Sequence, residues 1–150
     1  VPFIARWPNR IAANTTSDLI STQYDVLATL ADLIGQKPPA NDGLSFLPEL
    51  EGKSGQQKKH EYLYFEYPEK NGQLAIRMGH WKGVKTNLKK DASSPWQIFN
   101  LATDINEQSD IASSHPELIR KFDAIIKKEH VKPQLGSWEF VDEVIKSNSR

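Results

Sequence analysis

Apolar and polar positions alternate most clearly between Leu63 and Val84, LYFEYPEKNGQLAIRMGHWKGV. Leu63 to Tyr67 is a run of aromatic and large apolar side chains, Pro68 to Gly72 brings turn chemistry with Asn71-Gly72, and Leu74 to Met78 resumes the alternation; this is the pattern of a hairpin. Gly79 and His80 break the run again. Trp81 to Leu88 then alternates, with Trp81, Gly83 and Lys85 on one face and Lys82, Val84 and Thr86 on the other. The spacing predicts a meander. Apolar residues on both faces of its first strand place that strand at the centre of a sheet, and the lysines of the third give it one solvated side. Beyond the polar loop LKKDASSP, the alternation in WQIFNL predicts a fourth antiparallel strand.

Two stretches carry helical spacing instead. Thr22 followed by Asp25 resembles a capping box, and Val26, Leu27, Leu30, Ala31, Leu33 and Ile34 lead to Gly35, a helix stop. These apolar positions cover more than one stripe, so the helix is expected to be covered on several sides. Ser114 is the candidate N-cap of a second helix, with Pro116 and Glu117 in its first turn. There Leu118, Ile119, Phe122, Ile125 and Ile126 form a stripe reaching about Glu129. Full burial of such side chains is worth ~1.5–3 kcal/mol each, so this helix is expected to lie across one sheet face and stabilise it. VPFIARWP at the start reads as a buried strand closed by a Pro turn. The tail LGSWEFVDEVIKSNSR fits a strand or a short helix, and its spacing does not choose between them.

Composition narrows the function classes. At 150 residues the chain can bury a substantial core. Its 19 basic and 19 acidic residues cancel, which gives no electrostatic case for nucleic acid or an anionic membrane surface. Without cysteine there is no disulfide, thiol nucleophile or thiolate metal site. No apolar run approaches the ~20 residues of a membrane span. The chain opens at Val1 in mid-pattern, as a piece of a longer protein is expected to.

The aromatic LYFEY, the Asn-Gly turn and AIRMGHWKGV closely resemble the C-terminal subdomain of type I sulfatases of the arylsulfatase kind, within the alkaline-phosphatase superfamily. VPFIARWPNRI, STQYDVLATLADLIG, DGLSFLPEL and QIFNLATDINEQSDIASSHPEL resemble further segments of that family, in order, over roughly residues 1 to 130. The resemblance implies an α+β fold attached to an α/β parent, with a sheet of about four antiparallel strands packed by a C-terminal helix and preceded by a strand and helix of the main domain. On this reading residues 1–40 belong to the catalytic domain, 41–61 are a linker, 62–133 form the C-terminal subdomain and 134–150 a tail. It also implies a parent that hydrolyses sulfate esters of carbohydrates or aryl compounds, using Ca²⁺ and a formylglycine made from a Cys or Ser followed by Pro and Arg at fixed spacing. A periplasmic or secreted parent goes with it.

Those motifs are missing from the chain. Ser93 and Ser114 have Pro95 and Pro116 in place but no Arg where the motif requires one, so the fragment alone is expected to be inactive, with no catalytic residue, no metal ligand and no cofactor of its own. Its expected partners are the upstream catalytic part of the same chain, the sulfated substrate and, through the exposed first strand, a second copy. Glu66, Tyr67 and Glu69 in the hairpin are the candidate substrate-binding residues, because loops of this sheet rim the pocket in the family; Pro68 stands where relatives carry His. Asp104, Glu107 and Asp110 could offer clustered oxygens to Ca²⁺, but a helix-leading Asx turn explains them better. His60, His80, His115 and His130 are scattered without paired spacing, and His115 reads as leading into the helix. Arg77 and Trp81 are expected to pack across strands. An aromatic-rich carbohydrate-binding or structural module is the alternative function.

Overall fold

The computed structural model describes residues 3–148 and divides into two compact units, residues 1–60 and 61–150. In the first, α1 spans Asp25–Leu33. The Thr22 amide donates to Asp25 Oδ2 at 2.8 Å, the return arm of the expected capping box. At the other end Gly35 takes φ 66°, and the Gln36 amide reaches back to the Ala31 carbonyl at 2.8 Å, closing the helix through a left-handed residue. Asp25 is buried, and its Oδ1 accepts from the Leu44 amide and from His60 Nε2, each at 2.8 Å. Thr29 Oγ1 donates to the Asp25 carbonyl and accepts from the Phe46 amide, so residues 44–46 are pinned along α1. The segment expected as a linker then carries a short helix, α2 (Leu47–Leu50), whose Glu49 amide is held by Gln57 Oε1.

The second unit holds a four-stranded antiparallel sheet, β1 (Leu63–Tyr67), β2 (Gln73–Met78), β3 (Trp81–Lys85) and β4 (Gln97–Asn100), in the order β1-β2-β3-β4. Each strand pairs with its sequence neighbour, as the meander requires. The β1–β2 loop carries positive φ at Lys70, Asn71 and Gly72, and the tight β2–β3 turn does so at Gly79, the position where a type II′ turn wants glycine. The register places Tyr64 and Glu66 with Leu74, Ile76, Gly83, Lys85 and Ile98 on one face.

That face is covered by α3 (Pro116–Glu129), which buries Leu118, Phe122, Ile125 and Ile126, and by α4 (Val141–Ser147), which adds Val141 and Val144. Gly83 makes the closest packing possible: a Cβ built there would lie 2.5 Å from Phe122 Cε2 and 3.1 Å from Trp96. Glu139 Oε1 accepts from the amides of Val141 and Asp142 at 2.8 and 3.0 Å, which starts α4 from outside the helix and decides the tail's conformation.

Four expectations are corrected. The strand at the start is not formed: residues 3–7 have no ladder partner among the described residues, and Val1 and Pro2 lie outside them. A strand needs a neighbour to satisfy its amides, and none is present for this segment. β1 is an edge strand rather than central, and its Phe65 and Tyr67 remain 40% and 45% exposed. Lys85 is not on a solvated face but buried at 3% exposure, above the Trp96 ring at 5.6 Å and 3.4 Å from Asn148 Oδ1. Ser114 ends a 3-10 turn and His115 takes the N-cap position of α3, because Pro116 at the first helical residue excludes the helical region for the residue before it.

Candidate functional site

The candidate substrate residues are divided by the strand's own alternation. Tyr67 and Glu69 sit together at the tip of the β1–β2 hairpin, the phenol donating to Glu69 Oε2 at 2.9 Å with the ring half-exposed. The hydrogen bond to Glu69 and that carboxylate's charge hold the Tyr67 phenol above its ordinary pKa. Glu66 points to the opposite face. There its Oε1 accepts from Tyr64 Oη at 2.7 Å and lies 2.8 Å from His130 Nδ1.

His130 follows the last turn of α3, with its side chain only 7% exposed. Beyond Nδ1 and Glu66, its Nε2 faces Glu139 Oε2 at 3.3 Å and Asp142 Oδ1 at 3.7 Å. Burial would lower the imidazole's pKa, but the hydrogen bond to Glu66 and the charges of Glu66, Glu139 and Asp142 outweigh it and hold His130 above its ordinary value. Burial would likewise raise Glu139; the amides of Asp142 and Val141 and the facing His130 prevail and lower it. Among the described residues, His130, Glu139 and Asp142 are the group whose potential metal-ligand atoms converge, all within 4.8 Å of one another.

The acidic turn after β4 is spoken for. Asp104 accepts from the amides of Gln108 and Ser109, Asp110 Oδ1 accepts from Ile98 and Ala112, and Glu107 pairs with Lys82. These contacts hold the loop, and the bond from the Ala112 amide to Asp110 has the spacing of an Asx turn. The other histidines make local contacts: His60 meets Asp25, while His80 and His115 lie against the Trp81 ring at 4.6 and 4.9 Å. Arg77 Nε donates to the Gly79 carbonyl across the β2–β3 turn rather than stacking on Trp81. Ser93 Oγ donates to Asp91 in a surface loop, and Ser114 closes a helical turn, so neither is placed as a formylglycine precursor; the residues of this chain do not fit that group.

Comparison with known proteins fits this picture. Ps i-CgsB, solved also with a k-i-k-neocarrahexaose, superposes at a TM-score of 0.67 with 28% identity over 81% of this chain and 27% of its own. A protein solved with its substrate D-glucosamine-2-N,6-O-disulfate superposes at 0.61 with 25% identity, over 82% of this chain and 27% of the other. An N-acetylgalactosamine-6-O-sulfatase of Bacteroides thetaiotaomicron is 29% identical over 85% of this chain and 26% of its own length. Arylsulfatase A of Bos taurus is 30% identical over 91% and 31% respectively. The chain thus has the fold and sequence of a C-terminal part of a sulfatase of the alkaline-phosphatase-like superfamily. It belongs to the family described as N-sulphoglucosamine sulphohydrolase, C-terminal, whose model matches residues 1–132. It spans only about a quarter to a third of the length of those curated relatives.

Proposed function

We propose that these residues form the C-terminal lobe of a sulfuric ester hydrolase acting on a sulfated carbohydrate. The observation that carries this is the match of one sulfatase C-terminal family across residues 1–132. The sugar substrate is supported by relatives named for N-acetylgalactosamine 6-O-sulfate hydrolysis and by neighbours solved with a neocarrahexaose and with D-glucosamine-2-N,6-O-disulfate. In this reading the formylglycine and Ca²⁺ come from the rest of the parent, where they supply the nucleophile and offset the sulfate charge. The lobe completes the domain and offers the hairpin tip to the pocket rim. Tyr67 presents an amphipathic ring of the kind that stacks on sugars, Glu69 fixes its hydroxyl, and Glu66 anchors the strand behind it through His130.

The test is steady-state hydrolysis of an aryl sulfate and a sulfated sugar by the full-length protein. Tyr67→Ala is expected to raise KM for the sugar by ~10-fold while leaving kcat for the aryl ester nearly unchanged, the mark of a lost binding contact away from the reacting atoms. The isolated chain is expected to turn over neither. Turnover by the chain alone, or equal effects on both substrates, would refute this assignment. Glycan binding by the chain that disappears in Trp138→Ala, a residue 54% exposed, would favour the binding-module alternative.

A further inference from the structure

Of the three polar contacts of His130, only one is made at ordinary length. On the Nδ1 side the imidazole meets Glu66 at 2.8 Å, normal for a charge-assisted hydrogen bond. On the Nε2 side it meets two carboxylate oxygens at 3.3 and 3.7 Å, too long for such bonds, which run about 2.7–2.9 Å. Both His130 Nε2 and Glu139 Oε2 are buried and without a hydrogen-bond partner. Native structures rarely leave a buried donor or acceptor in that condition, because each costs ~1–3 kcal/mol.

The distances have a specific meaning. Ligand bonds of about 2.0–2.1 Å at a tetrahedral angle put neighbouring ligand atoms roughly 3.4 Å apart. The two Nε2 to carboxylate separations bracket that edge. The opposite ring nitrogen lies against a carboxylate, which is the outer-shell arrangement that fixes the tautomer and orientation of a metal-bound histidine and raises its basicity. Glu66 is itself held by the Tyr64 hydroxyl. Glu139 has its other oxygen committed to the first amides of α4, so Oε2 is already aimed. Asp142 is 47% exposed and opens the remaining coordination position to solvent. With the Nε2 proton displaced on binding, the two ligand carboxylates balance a divalent charge.

We propose that His130, Glu139 and Asp142 bind a divalent ion of the zinc type, with Glu66 orienting the histidine. The nitrogen ligand and the two Nε2–carboxylate separations favour Zn²⁺ over Ca²⁺ or Mg²⁺, which take six or more oxygens. The three ligands come from the end of α3, the approach to α4 and its first turn. The ion's work is to fasten the tail helix onto the sheet lobe.

The experiment is titration of the metal-stripped 150-residue chain with Zn²⁺ alone, followed by calorimetry and thermal unfolding, with Co²⁺ as a spectroscopic substitute. One ion per chain, a raised unfolding midpoint and the intense visible absorption of tetrahedral Co²⁺ are expected. Glu139→Gln keeps the oxygen that starts α4 and removes a ligand, and Asp142→Asn alters a partly exposed one; each is expected to weaken Zn²⁺ at least 10-fold. Glu66→Gln is expected to weaken it 10- to 100-fold with the tetrahedral Co²⁺ spectrum retained. Ca²⁺ and Mg²⁺ are expected not to compete. Absence of saturable Zn²⁺ binding, or binding and spectra unchanged in Glu139→Gln and Asp142→Asn, overturns the site and leaves the cluster as an ion pair.

Discussion

Single residues decide how closely the second unit can pack. Gly83 faces Phe122 on the core side of β3, and the space for even one methyl group is already occupied. Gly83→Ala is therefore expected to cost about 1–3 kcal/mol through overpacking, read as a fall in the urea midpoint of the chain with an unchanged slope. Lys85 presents the opposite problem. Burial holds its pKa below the ordinary 10.5, and the attraction of Asp123 and Asp91 only partly offsets this. Because the folded pKa is the lower one, the group's contribution is most unfavourable below it and disappears above 10.5, so stability rises with pH across that interval. Lys85→Met is expected to remove this alkaline rise and to leave neutral-pH stability equal or higher by ~1–2 kcal/mol. Denaturation of both proteins across the alkaline range checks it; a variant that is less stable at neutral pH would show that the ammonium contributes net attraction.

At the scale of elements, the tail helix is sealed by its own apolar residues. Phe140 is buried beside the Gly72 turn, where a Cβ at position 72 would lie 2.9 Å from its ring. Phe140→Ala is expected to cost about 3–5 kcal/mol, measured by chemical denaturation, as for other large aromatic deletions in a core. The meander was legible because Asn71-Gly72 and Gly79 interrupt a period of two at the positions where the backbone turns. The stripe of α3 was legible because five large apolar residues repeat at helical spacing. The tail was not, because a short segment shows too little of either period, and Glu139 starts the helix from a position where no cap is expected. The starting strand failed for the converse reason: local alternation states a preference, but the ladder partner is not in the sequence window. His130 escaped because its partners at positions 66, 139 and 142 meet only after folding. The one local hint is a pair of acids three residues apart downstream of a histidine.

For the whole molecule, the family membership and the surface agree. α1 leaves Leu27, Leu30 and Ile34 50%, 54% and 69% exposed, an apolar strip larger than isolated surface residues provide. The helix was expected to be covered on several sides in its native setting, and of its own residues Asp25, Ala28, Thr29 and Ala31 are buried. The chain by itself is expected to self-associate with rising concentration. Leu27→Glu with Leu30→Glu is expected to restore a monomer in light scattering without lowering the unfolding temperature, since neither side chain is buried. No described helix is long and apolar enough to cross a membrane.

The order of strands and helices along the chain carries a further consequence for synthesis. All ladder pairs in the sheet join neighbours in sequence, so the four strands and α3 can assemble as they leave the ribosome. Phe140, Val141 and Val144, however, belong to the same core and are translated after the sheet and α3. Until they clear the exit tunnel, the shared core lacks part of its cover, and a nascent chain stalled just short of them would display a sticky, half-roofed sheet to chaperones.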